Sequence, residues 1–181
     1  MAGKAYTDEE KAKNTIHLKG LLEQLPPFCY TYFRGISQTT SVKTRMGYAY
    51  DLKVFFGFLC AEHKDFKGVK FEDIQPEDLE LVNSEDIEEF LDYVSIYSPY
   101  NDEDGICGKE TILNSESAKA RKLAAVRSMY KYYLRKGYIS TNPAALVDTP
   151  KIHDKNIIRL EANEVANLLD EVETGENLTE R

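Results

Sequence analysis

Cysteine is scarce in this chain of 181 residues: Cys29, Cys60 and Cys107 are its three, and they lie far apart. No CxxC pair and no Cys/His zinc spacing is present. An odd, sparse count fits a reducing compartment, so the expected location is the cytoplasm. Histidine is as sparse. His17, His63 and His153 share no spacing, and each reads as a surface or linker residue. No signal-peptide pattern is visible, and no apolar run approaches the roughly 20 residues that a membrane helix needs. A glycine-rich phosphate loop is missing too. An EF-hand fails because Asp102 and Asp104 meet Gly105 too early and no Glu stands at the twelfth position. The carboxylate pairs Glu88-Glu89 and Asp102/Asp104 lack companions. Without a clustered nucleophile, base or metal ligand, a stand-alone enzyme is disfavoured, and neither metal nor cofactor is expected.

What the chain does have is charge, unevenly placed. Its 23 basic and 31 acidic residues give a net charge of −8, which argues against indiscriminate nucleic-acid binding. Residues 62–104 carry fifteen acids against three lysines. Residues 161–181 carry seven acids and one arginine. Between them, residues 116–136 carry seven cations and one acid: Lys119, Arg121, Lys122, Arg127, Lys131, Arg135 and Lys136 against Glu116. Chance clustering of solubilising charge gives blocks of this kind. So does a surface field built for an anionic partner, and here the basic block coincides with one helix.

The hydrophobic share, 42%, suffices for one core or one core with an appended element. The periodicity reads mostly as helix. Residues 8–25 carry the stripe Ile16, Leu18, Leu21, Leu22 and Leu25, with Thr7 or Asp8 as a cap, and stop at Pro26-Pro27. A short aromatic piece follows over Phe28–Phe33, then the polar run SQTTS, suited to a cap. Residues 42–61 place Met46, Ala49, Leu52, Phe56 and Leu59 on one face, with further aromatics widening it, so this helix is enclosed by others. Cys60, in its apolar end, reads as a buried thiol. Residues 62–83 read as a long charged connection. Residues 85–97 predict a helix beginning near Ser84. Residues 98–115 are loop-like. The basic helix ends near Gly137, a position suited to a left-handed cap, and Asn142-Pro143 opens a short helical turn. Residues 149–158 read as an extended linker, and Leu160–Val172 as a last amphipathic helix, the opening of an element that continues elsewhere.

Two helices carry the candidate site. In the basic one, Leu123, Val126, Tyr130, Tyr133 and Leu134 share a sector at about 100° per residue, and Arg121, Arg127, Lys131 and Arg135 share the broad opposing one. Lys119 and Lys122 stand in the first turns, and Ser117 offers a cap or a phosphate donor. Guanidinium forks reach phosphates or guanine edges bidentately. The competing reading is a solvated helix paired with the acidic segments. In the other helix Lys43, Thr44 and Arg45 stand at an N-terminus, where backbone N–H groups already favour phosphate. Alternatively, these are a capping residue and ordinary surface cations. Among the twelve tyrosines, the spacing of Tyr130 and Tyr133 favours packing over a nucleophile.

Two blocks resemble a known family. Thr44–Leu59, with Thr44, Tyr48, Asp51, Leu52, Phe55 and Leu59, resembles the start of the core-binding domain of tyrosine recombinases, the phage-integrase and Xer-like family. Ser117–Val147, with Arg121, Lys122, Leu123, Val126, Arg127, Tyr130, Tyr133, Gly137, Asn142, Pro143 and Ala144, resembles that domain's last long helix and its Asn-Pro exit. SEDIEEFLDYV between them resembles the third family helix. The resemblance implies an all-α, SAM-like bundle of four or five helices over residues 28–148. An N-terminal helical extension (1–27) would precede it, and a linker (149–159) and the first helix of a catalytic domain (160–181) would follow. It also implies a clamp on double-stranded DNA through Lys43, Thr44, Arg45, Ser117, Lys119, Arg121, Lys122 and Arg127, with Lys151 touching DNA from the linker. Other recombinase protomers would be partners on DNA, with this piece alone monomeric or weakly dimeric. The family's catalytic residues have no match here, so the expectation is a DNA-binding, non-enzymatic part of a recombinase. The chain departs from the pattern in its N-terminal extension and in an insertion around Pro99–Glu116. The rival expectation is a helical protein–protein interaction module.

Overall fold

The computed structural model describes residues 2–101 and 105–152 together with Val165 and Leu169; the side chains of residues 2–8 and of Ile106 are outside the description. The chain divides into a unit over Met1–Lys151 and a second over Ile152–Arg181. In the second, Val165 and Leu169 are helical and exposed. The reading of Leu160–Val172 as a whole, and His153, lie outside the described residues.

The first unit is a helical bundle. Its helices are α1 (Ala2–Leu22), α2 (Cys29–Gly35), α3 (Val42–Glu62), α4 (Ser84–Tyr93) and α5 (Glu116–Lys136). Three short 3-10 turns cover Phe71–Asp73, Pro76–Leu81 and Pro143–Ala145. The caps explain most boundaries. Ser41, in the polar SQTTS run, accepts from the Thr44 amide and starts α3. α4 starts at Ser84 as expected, capped by Asn83, and the Asp86 carboxylate accepts from the Asn83 amide in a capping box. Ser115 caps α5, so Ser117 has no capping role. Gly137 ends α5 at φ 76°, a backbone conformation that side chains with a Cβ rarely adopt. α1 begins earlier than the acidic start near residue 8 predicts.

α1 runs parallel to α3. Glu10 pairs with Lys43 at 2.7 Å, His17 meets the Tyr50 hydroxyl at 2.7 Å, and Lys53 donates to Gln24 at 2.7 Å. Leu18, Leu21, Leu22 and Leu25 are buried beneath these contacts, so the N-terminal extension is part of the core. α5 crosses the interior with a wide buried face that includes Leu123, Val126, Met129, Tyr130 and Tyr133. Leu134, expected in this sector, is exposed, and Tyr132 takes the buried place instead. The buried tyrosines end in hydroxyls that need acceptors, and each finds one on another element. Tyr130 donates to the Leu79 carbonyl (3.1 Å), Tyr132 to Thr31 (3.1 Å) and Tyr133 to Phe28 (2.8 Å).

Two segments differ from their sequence reading. Residues 62–83 are more than a charged connection: Phe66, Phe71, Ile74, Leu79 and Val82 are buried in the core, although single apolar residues set irregularly among charges show neither period. His63 is buried with them, its Nε2 3.3 Å from an Asp86 carboxylate oxygen, and is not a surface histidine. Residues 98–115 are not featureless. Strands β1 (Ile96–Tyr97) and β4 (Ile112–Leu113) pair antiparallel, as do β2 (Tyr100–Asn101) and β3 (Ile106–Cys107). α4 therefore stops at Tyr93, not Tyr97. Tyr100 lies flat on α3 where Gly57 removes a side chain; a Cβ there would stand 2.9 Å from the Tyr100 Cβ.

Candidate nucleic-acid interface

The cations of α5 divide into two groups by burial. Ser117, Arg121, Ala124, Ser128, Lys131 and Arg135 recur at steps of four and three, which at about 100° per residue keeps them on one side of the helix. Ser117, Arg121, Lys131 and Arg135 in this stripe are exposed. Lys122, one residue round from Arg121, is buried.

The centre of the arrangement is Asp51. It lies on α3 and is 1% exposed. An Arg121 Nη atom donates to one of its oxygens, and the Lys122 Nζ stands 3.6 Å from the other. The same Arg121 nitrogen reaches the Gly47 carbonyl at 3.4 Å. Burial pushes the Asp51 carboxyl up, against the attraction of Arg121 and Lys122. Burial also pushes the Lys122 ammonium down, against the attraction of Asp51. Lys122 gains a second acceptor in Asn114 at 3.4 Å, and Asn114 is itself tied to the Val94 carbonyl at 2.7 Å. Arg121 is half exposed, and one nitrogen makes both of its bonds. Its Nε and other Nη have no protein partner among the described residues. Asp51 thus holds the guanidinium in place with donors left over.

The other expected contacts take different positions. Lys119 pairs with Glu116 at 2.7 Å and reaches the Ser95 hydroxyl at 3.3 Å. Ser117 is exposed, its hydroxyl 2.9 Å from that of Ser115. Arg127 turns away from solvent: it donates to the carbonyls of Ala144 (2.9 Å) and Val147 and to the Thr149 hydroxyl (2.7 Å). It fastens the segment that leaves α5. Lys43 and Thr44 are exposed at the start of α3. Lys43, Thr44 and Gly47 fall on one side of that helix. Arg45, two residues before Gly47, points about 200° from it, and it lines a cleft with α1 and α2. Lys151 is exposed. The structure therefore leaves Lys43, Thr44, Ser117 and Arg121 exposed, sets Arg121 against Gly47 and Asp51 of α3, buries Lys122, and ties Arg127 to the segment that leaves α5. Asp51 and Asn114 belong to this site without standing among the residues expected of it. The signal for Asp51 was present: an acid inside an otherwise apolar helix requires a buried cation.

Comparison with curated proteins finds matches to tyrosine recombinases. The chain is 32% identical over 146 residues to a tyrosine recombinase XerC of Caldanaerobacter subterraneus subsp. tengcongensis, covering 78% of this chain and 38% of that protein. It is 31% identical over 134 residues to a tyrosine recombinase XerC of Chlorobaculum parvum, covering 74% and 33%. A third, from Pelobacter propionicus, is 39% identical over 62 residues, covering 34% and 20%. At the family level the chain is similar to tyrosine recombinases. It spans 20–38% of the length of these relatives. No family model matches the chain, and no solved structure does.

The recombinase-like chain shows no group of three His, Cys, Asp or Glu able to hold a metal among the described residues. Tyr130 and Tyr133 are buried, and burial pushes both hydroxyls far above the ordinary tyrosine range, which suits packing and carbonyl anchoring, not attack on a phosphate. No described helix is long and apolar enough to cross a membrane.

Proposed function

We propose that this chain is the DNA-binding part of a tyrosine site-specific recombinase, with residues 28–148 forming a SAM-like core-binding domain. The observation that carries the reading is Arg121, anchored by one nitrogen to buried Asp51 and to Gly47, half exposed and with donors left over. On a chain of net charge −8, this is a local site for an anion, and a duplex backbone supplies anions at the spacing of a helix face. Arg121, Ser117 and Thr44 are the direct contacts, with Lys43 and Lys119 at the rim. The Lys43–Glu10 pair is exposed and worth little, so Lys43 exchanges Glu10 for phosphate at low cost. Lys122 and Arg127 position the helix without touching DNA. Residues 149–159 are the linker, from which Lys151 meets the backbone, and residues 160–181 open the catalytic domain. That domain supplies the tyrosine which cuts and rejoins DNA, and other protomers join on the site. The cell compartment is the cytoplasm.

A second reading has one observation behind it. Ile96 and Leu113 face each other across the β1–β4 pair and are 62% and 80% exposed, which suits a protein partner.

Fluorescence anisotropy with duplex DNA at about 50 and about 200 mM salt separates the two. The recombinase reading expects affinity that falls steeply with salt and drops in Arg121→Gln. A folded protein whose duplex affinity is the same in Arg121→Gln overturns it, and loss of partner binding in Leu113→Asp would then favour the second.

A further inference from the structure

The first turn of α3 carries a cation that the Arg121 face does not use. Arg45 points away from Gly47 and Arg121 into a cleft of 450 Å³ between α1, α2 and α3. Two more cations line it: Lys19 from the last turn of α1 and Arg34 from the last turn of α2. None of the three has an ion-pair partner among the described residues, and no carboxylate lines the cleft. Glu10, on the adjoining cleft that Arg45 also borders, is held by Lys43 at 2.7 Å. The Arg45 Nε is buried with no hydrogen-bond partner, a costly state for a charged group unless an acceptor arrives. Three cations border the cleft while the nearest acids, Glu10 and Glu23, lie outside its lining, so the cleft favours an anion.

The rest of the lining narrows the ligand. The floor is apolar, made by Leu18, Leu22 and Phe33. Tyr30 stands at the wall, 44% exposed, and burial followed by the charge of Glu23 keeps its hydroxyl protonated as a donor. Thr15 and Ser37 spend their hydroxyl protons on the Lys11 and Arg34 carbonyls, so they only accept. A lone phosphate satisfies the cations and leaves the floor unused. The volume lies within the range of small-molecule sites, about 300–1,000 Å³.

We propose that this cleft binds the phosphate of a nucleotide, with Arg34, Arg45 and Lys19 on the phosphate and the base or sugar over the apolar floor beside Tyr30. The phosphate comes from a free nucleotide or from the DNA backbone; the cations serve both, and the floor beside Tyr30 is used only by the free nucleotide, because the bases of a duplex are paired and stacked. The site is separate from the Arg121 face and does not depend on it.

The test is calorimetric titration of the 181-residue chain with ADP, with pyrophosphate and with a short duplex, in wild type, Lys19→Gln/Arg34→Gln and Arg121→Gln. Lys19 and Arg34 are exposed, and among the described residues their charged ends make no hydrogen bond or ion pair, so circular dichroism should show the double variant folded. The expected result is that ADP binds more tightly than pyrophosphate. Binding should weaken roughly tenfold or more in the double variant and stay unchanged in Arg121→Gln. If ADP and pyrophosphate are silent but duplex affinity falls in the double variant, the site stands and its phosphate is the DNA backbone. If ADP binds as expected while duplex DNA does not bind at all, the cleft stands and the recombinase reading fails. If wild type binds neither ADP nor pyrophosphate and the double variant holds duplex as wild type does, or if ADP binds both proteins equally, the proposal is overturned.

Discussion

Asp51 and Lys122 meet inside the bundle, Oδ1 to Nζ 3.6 Å apart, with both side chains almost wholly buried. The neighbouring Arg121 completes the set from a half-exposed position. Two adjacent cations on α5 therefore have different work, and replacing both together confounds folding with binding. Lys122→Ala removes a buried charge partner and leaves Asp51 with Arg121 alone; the expected cost is about 3 kcal/mol of stability. Arg121→Gln should cost less stability and lower the slope of log affinity against log salt by about 1. Urea unfolding and salt-dependent anisotropy on each single variant check the split. Equal stability losses with unchanged salt slopes would contradict it.

Arg127 holds three acceptors on the segment that leaves α5. Arg127→Ala leaves the Ala144 and Val147 carbonyls without that donor, at an expected cost of about 2 kcal/mol. Hydrogen exchange should then quicken around residues 143–149 before it quickens in α3. A uniform rise across the bundle would show that the segment is not fastened locally.

Gly57 lets Tyr100 approach α3, and Gly57→Ala puts a methyl group 2.9 Å from the Tyr100 Cβ. Because that Cβ is fixed to the backbone of β2, the strand has to move. We expect a loss of about 1–3 kcal/mol and weaker protection of the β2–β3 pair. A thermal melt identical to wild type would mean that the strand yields freely.

The three thiols should separate by burial. Cys29 and Cys60 are buried and Cys107 is exposed. Burial also pushes the Cys29 thiol well up. Titration with a thiol reagent should modify one cysteine quickly in the native protein and all three after unfolding, and mass spectrometry should place the fast adduct on Cys107.

Glu80 accepts from the amide of Ser140, and bonds from the Ser140 side chain and amide hold its carboxyl below the ordinary glutamate range. A depressed folded-state value means stability that is present above the ordinary range and lost as pH falls through the depressed value. Glu80→Gln should therefore lower the urea midpoint near neutral pH and approach wild type as pH falls through the depressed value. An equal deficit at neutral and at acid pH would remove the ionic part of the contact.

Much of this was legible along the chain. The 3.6-residue period marked α3 and α5, the proline pair marked the end of α1, and Gly137 marked the end of α5, because each of these signals is local. Ser41 as a cap was legible for the same reason. The strands between α4 and α5 were not, since two-residue pairs carry too few side chains to show alternation. The burial of Phe66, Phe71 and Ile74 was hidden for a similar reason, each being set among charges. The family resemblance and the concentration of cations on one helix were determined by the sequence alone. The division of those cations was not. Lys122 is buried and Arg121 is not because Asp51 stands opposite them, on a helix some 70 residues away in the chain. Arg45 is half-buried while Lys43 and Thr44 are exposed because it lines a cleft with residues of α1 and α2. Residue identity sets the charge of a side chain, but only the packing of distant segments decides which charges water and a ligand can reach.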